Sequence, residues 1–149
     1  YGWEVVGVDN ALLAVLEARS KIKDAKVSGQ VMLSDVTSDL DLTQRFDLVL
    51  DIGCFHSLSQ HGRRNYRENL QKWLKPGGSY LIYAHRRTSS DDSHGIQEDD
   101  LRKFAAFLEI KWRMDMDEQR PDGGGGFPAT WARFDRKNTN DDNAVKILN

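Results

Sequence analysis

The chain has 149 residues, of which 39% are hydrophobic and 30% charged, and these proportions predict one globular domain with a single core. Its 21 lysines and arginines against 23 aspartates and glutamates leave a net charge of −2, which favours neither nucleic acid nor an anionic membrane as a partner. A single cysteine excludes an internal disulfide and favours a reducing, cytoplasmic setting. No apolar run approaches the roughly 20 residues that span a bilayer.

The first part of the chain alternates short strands with a helical pattern. Residues 3–8 are β-rich and end at Asp9 and Asn10, and a second short strand over 31–34 ends at Asp35. Between them, four apolar residues are spaced for one face of a helix: Leu12, Leu13, Val15 and Leu16. Both strands therefore end in an acid.

A third strand is followed by another acid and a turn of small residues. Phe46 and the run Leu48-Val49-Leu50 are apolar without a clean alternation, which predicts a strand buried on both faces. Asp51 and Gly53 then end the strand. In open α/β sheets, ligands bind just beyond the carboxyl ends of such strands. We therefore expect a ligand site here.

The second half is predicted to hold two helices and three strands. The helices are 65–74 and 98–108, and the strands are 79–84, 108–116 and 130–135. The last two strands form an antiparallel hairpin, and a polar tail occupies 138–149. The pattern predicts an α/β domain over 1–137. Its Rossmann-like, mostly parallel sheet carries helices on both faces and a C-terminal antiparallel hairpin.

The three strand-end acids point to a nucleotide-like ligand. Asp9, Asp35 and Asp51 follow parallel strands, so we expect them to line one crevice. A carboxylate after the second strand of a nucleotide-binding sheet accepts both hydroxyls of a ribose. One after the neighbouring strand can accept from an adenine amine, and one after the next strand can meet a cationic amine. Helix capping and loop solvation are the simpler explanation of any single acid, whereas three acids at matching places favour the ligand.

Four short motifs, in this order of elements, resemble the class I S-adenosylmethionine-dependent methyltransferases. They are Gly7-Val8-Asp9, Ser34-Asp35-Val36, Phe46-Asp47-Leu48-Val49-Leu50-Asp51 and Leu74-Lys75-Pro76-Gly77-Gly78. The similarity lies with the small-molecule branch that includes thiopurine and tellurite methyltransferases. It implies strand order 3-2-1-4-5-7-6 and methyl transfer from S-adenosylmethionine to a small-molecule acceptor.

The resemblance also implies which residues bind the cofactor. Asp9 would hold the ribose, Asp35 would read the adenine, and the segment from Asp51 would follow the methionine end, largely through backbone groups. The full set is Asp9, Asn10, Asp35, Val36, Asp51, Ile52 and Cys54. The first strand and glycine-rich loop of the family are not in this sequence, and the glycine run at 123–126 does not replace them. We therefore expect a longer protein, and weak cofactor binding by the chain alone.

His56 is the candidate catalytic residue. It follows the third strand closely and would act as a base or orient the acceptor, since methyl transfer needs a base only when the acceptor is protonated. A histidine that caps or packs on the next segment is equally consistent with the pattern. Tyr83, His85 and Arg86, at the exit of the fourth strand, are weaker candidates for acceptor contacts. The histidines lack metal-ligand spacing, so no metal is expected.

Two other functions are compatible with the pattern. Short-chain dehydrogenases that use NAD(P) also carry an acid after the second strand and an Asp-Val pair after the third. They require a Tyr-x-x-x-Lys pair, however, and no tyrosine of this chain has lysine at that position. The second alternative is a non-catalytic Rossmann-like binding module. The sequence does not identify the acceptor or the oligomeric state.

Overall fold

Helices and strands alternate along the computed structural model, which describes residues 2–88, 94–119 and 126–138. Within these ranges the elements are β1 (Val6–Asp9), α1 (Leu12–Ala25), β2 (Gln30–Leu33), β3 (Phe46–Ile52), α2 (Cys54–Ser57), α3 (Gln60–Trp73), β4 (Leu74–His85), α4 (Glu98–Arg102), β5 (Leu108–Glu118) and β6 (Phe127–Arg136). The chain divides into two units, Tyr1–Asp41 and Leu42–Asn149. The predicted tail lies outside the described residues from position 139 onwards, as does most of the glycine run.

The first unit contains a two-stranded parallel sheet of β1 and β2. The register places Val6 opposite Gln30 and Asp9 opposite Leu33, so both strands end at the same edge. A parallel pair needs a crossover connection of about a dozen residues or more, which the 14 residues of α1 supply. Asp35 lies two residues beyond the end of β2. Asp9 and Asp35 consequently lie at one edge of this sheet.

The apolar face predicted for α1 is only partly buried. Val15 is fully buried, whereas Leu13 is 80% exposed and its two leucine neighbours on that face are also exposed. A polar contact links the helix to the sheet, because the Arg19 guanidinium donates to the Val31 carbonyl at 2.9 and 2.7 Å. Ile22, further along the helix, is half-buried beside Gly29, so the two strands of this unit cover only part of the helix.

The second unit contains a four-stranded mixed sheet of order β3-β4-β6-β5. β3 and β4 are parallel, with Leu50 opposite Leu81. β6 runs antiparallel to both β4 and β5, with Tyr83 opposite Trp131, and the β5–β6 hairpin places β5 at the edge. Together with its helices this is an α/β architecture. Within the described residues, no helix is long and apolar enough to cross a membrane.

β3 is buried on one face only, so the prediction of a strand covered on both faces is wrong. Asp51 is 3% exposed, whereas Leu50 and Ile52 are 53% and 64% exposed. Successive residues of a strand point to opposite faces of the sheet. In this unit α2 and α3 contact β3, and the Asp51 carboxylate bonds to the start of α2. Within this unit the helices therefore cover the Asp51 face of β3 and not the leucine face.

The core of the second unit is a cluster of aromatic rings centred on Phe104. Its ring centroid lies 5.1 Å from that of Phe55, 5.3 Å from that of Tyr80 and 5.5 Å from that of Phe134. All four side chains are buried. These separations are in the range that aromatic pairs prefer. Because Phe55 belongs to α2, the cluster holds that short helix against the sheet.

The largest differences from the sequence prediction are at three element boundaries. α3 begins at Gln60, earlier than predicted, because the Ser59 hydroxyl accepts from the Gly62 amide at 3.1 Å and caps the helix. β4 begins at Leu74, directly after α3. The last predicted helix ends as an α-helix at Arg102 and continues as a short 3₁₀ turn. That turn carries the central phenylalanine of the core.

Candidate active site

Asp9 ends β1 with an exposed carboxylate. Its Oδ1 accepts a hydrogen bond from the Ala11 amide at 2.7 Å, at the entrance to α1. Asn10, the next residue, is also exposed. A carboxylate offers about four lone-pair positions, so Asp9 keeps acceptor capacity after this bond. It can therefore receive a pair of hydroxyl groups from a ligand.

Asp35 lies close to Asp9 in the same unit. The Asp9 carbonyl accepts from the amide of Ser34, the residue before Asp35, at 3.0 Å. Asp35 Oδ1 accepts from the Thr37 amide at 2.7 Å and from its hydroxyl at 2.8 Å. Within the described residues its Oδ2 has no hydrogen bond, and the next residue, Val36, is half-buried. The first unit thus presents two exposed carboxylates at one sheet edge.

Asp51, in the second unit, directs its carboxylate into the core. It accepts from the amides of Cys54 at 2.9 Å and Phe55 at 3.2 Å and from the Tyr80 hydroxyl at 3.4 Å. Burial raises the pKa of Asp51, and a hydrogen bond from Tyr66 opposes that shift. The carboxylate holds the start of α2, so any contact of Asp51 with a ligand falls to its backbone.

The turn after β3 is built around a glycine. Gly53 has φ +90°, in the left-handed region that favours glycine, and its amide donates to the Tyr83 carbonyl at 3.1 Å. Ile52 before it is exposed and Cys54 after it is half-buried. The turn therefore brings this segment against the exit of β4, with His56 one helical turn further on.

His56 is a neutral hydrogen-bond donor in this geometry. Its Nδ1 accepts from the His85 amide at 3.2 Å, so the ring proton is assigned to Nε2. Burial lowers the pKa of His56 to about 4, and the nearby His85 and Arg63 charges contribute to the shift. The unprotonated nitrogen is already engaged, and such a weakly basic ring takes no proton at neutral pH. The geometry favours the orienting role over the base.

An aromatic surface lies at the exit of β4. The rings of His56 and His85 stack with centroids 4.3 Å apart and planes inclined by 13°. The centroid of the His85 ring also lies 4.2 Å from that of Phe127 and 5.8 Å from that of Tyr83. Arg86 pairs with an acid on β5. Phe127 has no signal in residue spacing, since its contact with His85 arises from strand pairing.

The predicted site residues thus form two groups. Asp9, Asn10, Asp35 and Val36 belong to the first unit, and Asp51, Ile52, Cys54 and His56 to the second. The single crevice lined by all three acids spans both units and stays a prediction. Within the part of the chain that the structure describes, no cluster of three or more His, Cys, Asp or Glu side chains is arranged to hold a metal ion.

Comparison with known proteins identifies relatives of the chain. Residues 1–78 match a family described as a methyltransferase domain, which is over half of the 149 residues. An uncharacterized methyltransferase of Schizosaccharomyces pombe is 28% identical over 88 residues, or 59% of this chain and 61% of that protein. A second uncharacterized methyltransferase of this yeast is 27% identical over the same length. The chain spans about three fifths of the length of these curated relatives.

Solved structures share the fold. The N-methyltransferase NodS of Bradyrhizobium japonicum, in complex with S-adenosylhomocysteine, has a TM-score of 0.71 at 17% identity, covering 89% of this chain and 76% of that one. TehB of Haemophilus influenzae has a TM-score of 0.74 at 16% identity, covering 91% of this chain and 50% of that one. At these identities the similarity concerns the α/β fold.

Proposed function

The chain belongs to the methyltransferase domain family, and from this premise we propose that it transfers a methyl group from S-adenosylmethionine to a small-molecule acceptor. One observation carries the proposal. Asp9 and Asp35 are exposed acids at the shared edge of two parallel strands, inside the region that matches the family. Acids placed in this way suit the hydroxyl and amine donors of an adenosine.

The proposal assigns a part of the cofactor to each group of residues. The Asp9 carboxylate accepts from the ribose hydroxyls, and Asp35 Oδ2 accepts from the adenine amine. The backbone of the turn after β3 follows the methionine end. The proposed cofactor-binding set is Asp9, Asn10, Asp35, Val36, Asp51, Ile52 and Cys54.

His56 orients the acceptor in this proposal. S-adenosylmethionine supplies a methyl group activated by the sulfonium, so the protein contributes mainly by positioning the acceptor. His56 Nε2 donates a hydrogen bond to the acceptor, because its Nδ1 already accepts from the His85 amide. The acceptor then arrives with its nucleophilic atom unprotonated, since His56 takes no proton from it.

The finer assignments belong to the same proposal. They are a small-molecule acceptor of the thiopurine and tellurite methyltransferase type, a mostly parallel Rossmann-like sheet with helices on both faces, and a methyltransferase-like domain over 1–137. The parallel β1–β2 and β3–β4 pairs support this sheet. The net charge of −2 supports an acceptor other than nucleic acid, and the single cysteine supports a cytoplasmic setting.

Calorimetry with S-adenosylmethionine and S-adenosylhomocysteine tests the proposal on the natural protein at its full length. We expect micromolar binding that Asp9→Ala weakens at least tenfold, or by about 1.4 kcal/mol. Asp24→Ala is the matched control, because Asp24 is an exposed acid of the same unit that lies on α1, away from the strand ends. Its affinity should equal that of the parent.

The same titration separates the competing functions. Binding of NADH or NADPH in place of S-adenosylmethionine would identify a nicotinamide enzyme. Absence of binding by any of these ligands would leave a non-catalytic module. Either result contradicts the proposed function, whereas an unchanged affinity of Asp9→Ala would contradict only the ribose role of Asp9.

A further inference from the structure

Arg63 is a buried arginine that joins three segments of the second unit. Its Nη1 pairs with Asp100 Oδ2 on α4 at 2.7 Å. Its Nη2 donates to the carbonyl of His56 at 2.7 Å and to that of Gly95 at 2.8 Å. The guanidinium therefore links α2, the chain that returns after β4, and α4. We call these residues the Arg63 junction: His56, Arg63, His85, Gly95, Ile96 and Asp100.

The junction contains a closed ring of hydrogen bonds that includes both histidines. The His56 carbonyl accepts from the Gly95 amide at 3.3 Å, and the His85 carbonyl accepts from the Ile96 amide at 2.8 Å. The ring closes where the His85 amide donates to His56 Nδ1 at 3.2 Å. Arg63 braces this ring because its Nη2 donates to the carbonyls of His56 and Gly95. The His85 amide that engages His56 Nδ1 thus belongs to the same ring of hydrogen bonds that Arg63 contacts.

The backbone conformation of Gly95 allows its carbonyl to contact Arg63. Its φ of +92° lies in the left-handed region, and an added Cβ would meet the backbone of Arg86 and Arg87 at 3.0 Å. The Gly95 carbonyl also accepts from Arg87 Nε at 3.1 Å. Two guanidinium groups therefore converge on one carbonyl, which fixes the chain at this point against the end of α2.

Stability alone does not explain why the residue at this buried position is an arginine. Arg63 is 3% exposed, and its Nε is buried with no hydrogen-bond partner among the described residues. A buried donor without an acceptor is a cost, and an apolar side chain of similar size would avoid it. Arginine has, however, a planar fork that can reach several acceptors at fixed angles, which lysine lacks. The fork matches the three oxygens of the junction.

We propose that Arg63 is a positioning residue, which fixes the ring of His56 and the chain after β4 in one geometry and so preorganises the acceptor side of the site. The catalytic consequence rests on the proposed function, because it acts through the orienting role of His56. The geometric part concerns the second unit alone. It can be measured without turnover.

Arg63→Lys tests the proposal by NMR on the protein labelled with ¹⁵N, with Arg64→Lys as the matched control. Arg64 neighbours Arg63 on α3 but is exposed and pairs with Glu68. The chain has only four histidines, so the ring ¹⁵N signals of His56 can be assigned. We expect the parent and Arg64→Lys to show one Nε2–H tautomer. Arg63→Lys should show shifts averaged between both tautomers.

Hydrogen exchange gives the second readout. In Arg63→Lys the amides of Gly95 and Ile96 should exchange at least tenfold faster, while the amide of Leu70 inside α3 keeps its protection. A single Nε2–H tautomer and parental exchange in Arg63→Lys would overturn the proposal. If the Leu70 amide also loses its protection in Arg63→Lys, α3 itself has been disrupted, and hydrogen exchange in the parent protein becomes the test. Slow exchange of Gly95 and Ile96 with one common opening free energy supports the junction, and exchange at loop rates overturns it.

The two proposals fail separately in these experiments. Missing S-adenosylmethionine binding or missing methyl transfer refutes the function but leaves the tautomer and exchange data unchanged. Parental tautomer and exchange data in Arg63→Lys refute the role of Arg63 while methyl transfer stands.

Discussion

Asp100→Ala removes the carboxylate that neutralises the buried Arg63. The Arg63 side chain is 4% exposed and the Asp100 side chain 13%, and Arg63 Nη1 lies 2.7 Å from Asp100 Oδ2. The same oxygen accepts from the Gln97 amide at 3.0 Å and completes the capping box of α4. After the substitution the guanidinium keeps its two carbonyl partners, but Nη1 joins Nε as a buried donor without an acceptor.

The expected cost follows from the burial of the remaining charge. Removing one partner of a buried ion pair lowers the free energy of unfolding by about 3–5 kcal/mol, of which the lost cap accounts for about 1 kcal/mol. For a domain of this size, that loss lowers the melting temperature by roughly 6–20 °C. Asp99→Ala is the control, because Asp99 pairs with Lys103 at 2.7 Å and is 65% exposed. It should cost far less than Asp100→Ala, because an ion pair in solvent contributes little to stability.

Urea unfolding followed by tryptophan fluorescence measures the difference. Trp73, Trp112 and Trp131 belong to the second unit, so most of the signal reports on the part of the chain that holds the pair. The free energy of unfolding of Asp100→Asn should lie between those of the parent and Asp100→Ala, since the amide oxygen still accepts from both donors but carries no charge. A cost of Asp100→Ala no larger than that of Asp99→Ala would refute the argument from burial.

Two further predictions concern the core and the candidate site. Phe104→Ala should lower the free energy of unfolding by about 3–5 kcal/mol, since it empties the centre of the aromatic cluster. Phe107→Ala should lower it less, because that ring is half-exposed. Equal losses for the two variants in urea unfolding would contradict the packing. The His56 ring should stay neutral from pH 8 to about pH 5, as its pKa is lowered to about 4. The lowered pKa means that neutral His56 stabilises the fold above its ordinary pKa of 6.5, and this contribution is lost as the pH falls towards 4. An NMR titration of the ring with a midpoint between pH 6 and 7 would disprove this.

Local sequence patterns predicted most of the strands and helices and the approximate positions where they end. Asp9 ends β1, Asp51 lies one residue before the end of β3, and Asp35 follows β2, close to where the strand patterns place them. Hydrophobic periodicity and turn residues are properties of neighbouring positions, so the sequence carries them directly. The sequence likewise predicts an antiparallel hairpin of the last two strands, and β5 and β6 are antiparallel neighbours.

Boundaries were less predictable where the deciding contact leaves no trace in the spacing of apolar residues. The early start of α3 depends on the Ser59 cap, which a pattern of apolar residues does not register. The 3₁₀ turn that ends the last helix places Phe104 among rings from α2, β4 and β6. A search for helical periodicity does not distinguish this turn from one more turn of α-helix.

The sequence by itself determined the order of strands and helices, the acids at the strand ends and the family. Tertiary structure alone decided which face of β3 is covered, which way the Asp51 carboxylate points and which nitrogen of His56 is engaged. These choices depend on contacts between distant positions, such as Arg63 with Asp100, 37 residues apart, and His56 with the His85 amide, 29 residues apart. Residue spacing encodes neighbours along the chain, whereas packing brings such pairs together and sets the chemistry of the site.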